Sequence, residues 1–215
     1  MYKITHQMKV WQGKFGLDYT DRNAISIKNL DNKYRKNFGV TRGELNKLFL
    51  GKLGRNMKIL EVGSNMGNQL LMLQDMGFKN LYGIDTNRYS VEISRKKIKG
   101  VNIIWGSAFD IPFKDRYFDL VFTSGLLLHI HPKDINEIMR EIHRCTKRYI
   151  WGFEPYNDRC LEVTYRRHRN FFWKTDFSKI YLRRFNDLTL VRQRLMKYLE
   201  GDNIDAMFLL RKMSV

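Results

Sequence analysis

The sequence is short of proline, cysteine, acid and long apolar runs, and each shortage closes a class of answers. With 3 prolines and no Ser/Gly/Pro-rich stretch, no linker, repeat or low-complexity tract divides the 215 residues. A hydrophobic fraction of 43% is enough for one full core, so a single domain is expected. Cys145 and Cys160 stand alone, without C-x-x-C spacing and without His at zinc-ligand offsets, which argues against both a disulfide framework and a metal site. The longest apolar runs are strand-sized, well short of the ~20 residues that cross a bilayer. The opening "MYKITHQMKVW" has no apolar h-region, so a soluble, cytoplasmic protein without membrane contact is expected. Acid is scarce too: 22 Asp and Glu face 39 Lys and Arg, for a net charge of +17. That balance favours an anionic partner, either a small anionic substrate or a nucleic acid. The basic residues are spread along the whole chain, however, and a solvated basic surface would look similar.

What is present alternates. "MKILEVG" (57–63) is an apolar run ending in glycine, and "NQLLMLQDMGF" (68–78) spaces Leu70, Leu71, Leu73 and Met76 helically before Gly77. "NLYGID" (80–85) reads as a second strand, "SVEISRKKIKG" (90–100) as a charged helix and "VNIIW" as the start of a third strand. "FDLVFTSG" (118–125) is a fourth, "PKDINEIMREIHRCT" (132–146) a helix with Pro132 in its first turn, and "RYIWGFE" (148–154) a fifth. "LTLVRQRLMKY" and "AMFLLRK", parted by the turn-rich "LEGDNID", suit an antiparallel hairpin. The expected fold is α/β, Rossmann-like and doubly wound: a mostly parallel seven-stranded sheet with a C-terminal antiparallel hairpin. Residues 1–56 are expected to form a helical lid and lead-in, and 57–215 the core. Ligands of such sheets lie beyond the carboxyl ends of the strands, which here carry Glu61 to Gly67, Asp85, Ser107 to Asp110, Ser124 to Gly125, and Glu154.

One more absence is informative. "KILEVGSNMGNQLLML" has the strand, tight turn and helix of a nucleotide-type site, but Asn65 stands between Gly63 and Gly67, so G-x-G-x-x-G is missing. A pyrophosphate needs glycine where its oxygens approach the backbone. An adenosyl amino acid has no phosphate, so the middle position can relax to Asn, which tolerates a left-handed or turn backbone. An acid at the end of the first strand, Glu61, is placed to favour a cationic amino-acid moiety. Asp85, 24 residues further on, can accept both ribose hydroxyls.

On these residues the chain resembles the class I S-adenosylmethionine-dependent methyltransferases. The resemblance implies S-adenosyl-L-methionine as cofactor and S-adenosyl-L-homocysteine as product. It implies that Glu61, Gly63, Ser64, Asn65, Gly67 and Asn68 hold the methionine part, Asp85 and Thr86 the ribose, and Ser107, Ala108 and Phe109 the adenine. Ser124 and Gly125 complete the cofactor side. Many relatives carry Asp where Ser107 stands, which leaves the adenine amino group to Ser107, Asp110 or backbone. "WQGKFGLDYTDRN", "TSGLLLHIHP", "YIWGFEPY" and "EVTYRRHRNFFWKTDF" are similar to the pseudaminic acid biosynthesis-associated methylases, which implies a sugar-derived or nucleotide-sugar acceptor.

Candidate acceptor groups follow. Trp11, Phe15 and Tyr19 are spaced by four on one helical face, ahead of Arg22 and Asn23; they suit a lid over the cofactor, and core packing explains the stripe as well. His129 follows the fourth strand, where related methyltransferases place a residue near the acceptor, and a neutral imidazole there can take a proton from the methylated group. A structural histidine bonded to backbone is the alternative. His131, just before Pro132, reads as a helix-entry residue. Glu154 and Tyr156 end the fifth strand on the ligand side. "YRRHRNFFWK" (165–174), with Tyr165, Arg166 and His168, interleaves basic and aromatic residues; it suits an anionic pocket or nucleic acid, or else an amphipathic helix with a solvated face. RNA methylation at ribose or ring nitrogen is the rival activity, although no [DNS]-P-P-[YF] follows the fourth strand and no cysteine lies nearby for carbon-5 chemistry. A non-catalytic binding protein of the same fold is the third reading.

Overall fold

The computed structural model describes residues 3–24 and 26–213. Four helices precede the sheet: α1 (His6–Gln12), α2 (Lys14–Arg22), α3 (Ile27–Phe38) and α4 (Arg42–Leu50). Polar caps start three of them: Thr5, Ser26 and Thr41 each accept from a backbone N–H in the first turn. The sequence T-R-G-E makes a full capping box, with Glu44 returning a bond to the Thr41 backbone. Gly39, at a φ of 72°, closes α3 in the left-handed conformation that glycine tolerates best.

The core alternates as the sequence pattern predicts: β1 (Lys58–Val62), α5 (Asn68–Asp75), β2 (Asn80–Asp85), α6 (Arg88–Lys97), β3 (Val101–Trp105) and β4 (Phe118–Ser124). A 3₁₀ turn (Leu127–His129), α7 (Ile135–Cys145) and β5 (Thr146–Pro155) follow. Two short strands, β6 (Leu161–Glu162) and β7 (Trp173–Lys174), pair with each other; α8 (Phe177–Arg184), β8 (Leu188–Lys197) and β9 (Ile204–Lys212) complete the chain. The sheet order is β3-β2-β1-β4-β5-β9-β8; the first five strands are parallel, and β9 runs antiparallel to both β5 and β8. This is the expected Rossmann-like topology with its antiparallel hairpin.

Each face of the sheet carries its own core. Leu60 and Val62 pack with Ile138, Ile142 and Tyr181 under α7 and α8, whereas Ile59 and Phe122 pack with Leu45, Phe49, Leu70 and Leu73 under α4 and α5. On α7 the apolar residues Ile135, Ile138, Met139, Ile142 and Cys145 recur at helical spacing and are all buried. The helix begins at Ile135 rather than in its expected first turn at Pro132, because residues 131–134 form a turn: Asp134 N–H bonds the His131 carbonyl and Lys133 N–H the His131 ring.

The chain winds from β1 through β2 to β3 in one direction and resumes at β4 on the other side of β1. That switch point aligns the carboxyl ends of β1, β2 and β4 along one edge, and the helices ahead of β1 lie against it.

Candidate active site

A cavity of about 540 Å³ opens along that edge. The turn after β1 builds its floor: Gly63 and Gly67 both sit at a φ of 76° and Asn65 at 45°, so the middle position is the left-handed non-glycine that the missing glycine predicts. A Cβ at Gly63 would approach Leu126 to 2.8 Å, so the turn is also closed sterically from the β4 side. Asp85 ties the turn to β2. One carboxylate oxygen accepts the Asn65 backbone N–H at 2.7 Å and the other the Asn87 N–H at 2.8 Å, leaving further lone pairs on each.

Glu61 is almost wholly buried on the cavity wall. Burial pushes its carboxyl well above the usual range, against the pull of the nearby Arg42 guanidinium. Among the described residues its Oε2 has no hydrogen-bond partner, and neither has the Oγ of Ser64 nor the Oε1 of Gln69, both also on the wall. Three buried orphan polar atoms around one turn are costly unless a polar ligand meets them. A ligand ammonium beside Glu61 would favour its ionised form and give its Oε2 a donor.

Helices α1 and α2 roof this end. Asn65 Nδ2 donates to Thr20 Oγ1, Asn68 Nδ2 to the Asn23 carbonyl, Asn87 Nδ2 to the Trp11 carbonyl, and Gln12 Nε2 to Thr86 Oγ1. Every one of these bonds joins the roof to the turn after β1 or the loop after β2.

Towards β4 the cavity reaches His129, which is buried. Its Nδ1 lies 2.9 Å from the Phe171 carbonyl oxygen, and a carbonyl can only accept. Nδ1 therefore carries the hydrogen, and Nε2 carries a lone pair. Burial pulls the imidazole down to about 4, so the ring is neutral at physiological pH.

Of the sequence-designated cofactor residues, Glu61, Gly63, Ser64, Asn65, Asn68, Asp85, Thr86, Ser107, Ala108, Phe109, Ser124 and Gly125 line this one cavity; Gly67 lies behind the wall, at the start of α5. Tyr19, Asn23, Tyr165 and His129 line it as well. Phe15, Arg22, Arg166 and His168 do not. Trp11 lines the cavity and joins Phe15 in a ring cluster: its ring centre lies 5.1 Å from that of Phe15, 4.9 Å from Tyr19 and 4.8 Å from His129, and the Phe15 ring lies 5.3 Å from His168. The helical stripe is broken at Gly13, yet its aromatics converge.

The 165–174 run is a tight turn leading into β7 rather than an amphipathic helix. Tyr165 and His168 bridge each other, and Arg166, Arg167 and Asn170 take positive φ. Glu154 and Tyr156 are off the cavity wall too. Glu154 is buried, accepts the backbone N–H groups of Leu126, Leu127 and Leu128 at 3.1 to 3.4 Å, and so holds the turn that carries His129. The cavity also has walls that no motif announced: Tyr34 and Phe38 from α3, and Tyr198, Asn203 and Asp205 from the hairpin.

Comparison with known proteins bears on this geometry. Residues 60–149 match the family described as "Methyltransferase domain". Over these residues the chain is similar to that family. The match covers less than half of the chain, and nearly all of the floor of the cavity lies within it. A phosphoethanolamine N-methyltransferase of Plasmodium falciparum is 25% identical over 99 residues, 45% of this chain and 37% of that protein. An uncharacterized methyltransferase of Staphylococcus carnosus is 30% identical over 115 residues, 54% of this chain and 53% of that one. The chain thus spans about half, or less, of the length of these curated relatives. Among solved structures, the 1,6-didemethyltoxoflavin-N1-methyltransferase of Burkholderia thailandensis, determined with its named substrate and S-adenosylhomocysteine, superposes with a TM-score of 0.71 at 13% identity, covering 100% of this chain and 93% of that one. It shares the fold.

Proposed function

We propose that the protein transfers a methyl group from S-adenosylmethionine to an oxygen or nitrogen of a small acceptor, either sugar-derived or otherwise anionic. The observation that carries this reading is the unpartnered Oε2 of Glu61, buried beside a left-handed Gly-Ser-Asn turn and in the same cavity as Asp85 and His129. Glu61 would take the ammonium of the cofactor, the turn its methionine carbons, Asp85 its ribose hydroxyls, and Ser107 to Phe109 its base. The bound sulfonium supplies a methyl group already activated for displacement. The chain's own task is to align the acceptor and accept its proton, and the unprotonated Nε2 of His129 suits that role. The acceptor class is supported by the resemblance to sugar-pathway methylases, by the net charge of +17, and by a relative named for phosphoethanolamine, a small phosphate-bearing molecule.

The test is transfer of radiolabelled methyl from S-adenosylmethionine into a cell extract, divided by a small-pore filter with and without nuclease. Label in the filtrate, insensitive to nuclease, is the expected result. Label retained with large molecules and released by nuclease would replace this acceptor with RNA or DNA. No incorporation, together with no calorimetric binding of S-adenosylhomocysteine, would leave a binding protein of this fold.

A further inference from the structure

The cavity continues past the cofactor end into a second compartment, between α3 and the β8–β9 hairpin, that no motif and no relative assigns. Aromatic rings form its sides: Tyr34 lies 5.4 Å from Phe153, and Phe38 lies 4.5 Å from Tyr198. Its polar groups can be accounted for one by one. Arg42 is fully buried and donates from Nη1 to Tyr34 Oη at 2.8 Å. A guanidinium has no acceptor, so Tyr34 Oη accepts there and its own hydrogen remains for the cavity. Asp205, the carboxylate of the compartment, already accepts from Tyr198 Oη at 3.1 Å. Asn203 Oδ1 already accepts from Lys174 Nζ, which leaves the Asn203 amide hydrogens and the other two hydrogens of Lys174. Lys33 stands exposed on the same wall. Tyr34, Asn203, Lys174 and Lys33 thus offer more free hydrogens than Asp205, with Oδ1 unengaged, offers free acceptor sites.

We propose that this compartment binds the methyl acceptor through a carboxylate or phosphate group, with the Tyr34 hydroxyl and the ammonium groups of Lys174 and Lys33 as its donors. The inference rests on the methyltransferase reading and goes beyond it by assigning the acceptor to the α3–hairpin side, away from the 165–168 turn that the sequence favoured. A donor surplus matches an oxyanion, and a neutral ligand would leave several of these hydrogens unmet.

Glucose 6-phosphate, glucuronate and glucose serve as probes of a phosphate, a carboxylate and neither. Each is titrated by NMR into the ¹⁵N-labelled full chain with and without S-adenosylhomocysteine, whose own affinity is measured by calorimetry. At least one charged probe should bind ten times more tightly than glucose or better and shift the Asn203 and Tyr34 amides; which one does so identifies the oxyanion. Tyr34→Phe and Lys174→Met should each weaken that probe about tenfold and leave S-adenosylhomocysteine affinity unchanged. Equal binding of glucose, shifts confined to the 165–168 turn, unaltered affinity in both variants, or no binding of any probe would overturn the assignment. Loss of S-adenosylhomocysteine binding with the probe retained would instead strike the methyltransferase reading and leave the compartment standing.

Discussion

Asp85 illustrates how one side chain can organise a site. Its two oxygens fix the backbone N–H groups of Asn65 and Asn87, and the lone pairs that remain face the cavity that a ribose would fill. Asp85→Ala is therefore expected to weaken S-adenosylhomocysteine binding at least tenfold in calorimetry while the protein stays folded; unchanged affinity would remove the ribose assignment. His129 makes a different prediction, because its hydrogen bond to Phe171 fixes the tautomer. We expect His129→Ala to lower turnover a hundredfold or more with S-adenosylhomocysteine affinity unaltered, in the range of a lost general base. Protonation removes the base, and burial holds the imidazole at about 4, so the wild-type rate should stay level from pH 8 to near pH 5 and fall only below that. An acid limb near 6.5 would mean that the titrating group is another residue. Both residues were legible in the sequence as ends of strands. Glu154 was legible in the same way, yet it holds a turn instead of facing the cavity, because strand position does not say which face a side chain takes once the following loop folds back.

Among the elements, α1 and α2 carry the dynamic prediction. Four side-chain hydrogen bonds tie them to the loops after β1 and β2, and those loops are where a cofactor would lie. Entry of a ligand of that size requires the roof to lift, and a bound ligand that bridges roof and floor should hold it down. Limited proteolysis within residues 3–24 is expected to slow several-fold when S-adenosylhomocysteine is added, and to quicken in Gln12→Ala, which loses the bond to Thr86. Cleavage rates indifferent to ligand would mean that the roof is a fixed wall. The expectation of a helical lead-in came from aromatic spacing. That the aromatics would meet Phe171 and His168, from a segment more than 140 residues away, had no local signal.

For the molecule as a whole, the buried acid beneath the turn that carries His129 links stability to pH. Burial raises Glu154 to about 7, so the folded chain holds a proton there that an unfolded carboxyl would release near its ordinary value of 4.5. The sign follows: this contribution is fully present below about pH 4.5 and is lost as pH rises through 7, so the protein should lose stability between about pH 4.5 and 7 and level off above that. Glu154→Gln cannot ionise, and the fall in melting temperature across that range should be smaller in it than in the wild type. An identical fall in both would place the titration elsewhere. The net charge of +17 acts in the same experiment only as a background self-repulsion, weaker at high salt, so the comparison belongs at fixed ionic strength.

By itself the sequence determined the period-two and helical apolar patterns, and with them the alternation of strands and helices, the hairpin and the residues at the strands' carboxyl ends; it also determined a turn whose middle residue is Asn. These are local properties, decided by backbone preferences and burial over a few residues. Tertiary structure alone decided which polar groups finish unpaired in a shared cavity. The orphaned Glu61 Oε2, the freed hydrogen of Tyr34 and the lone pair of His129 each depend on a partner distant in the chain or on the lack of one. Hydrogen-bond accounting of that kind needs both ends of every bond in place, and no stretch of sequence contains both.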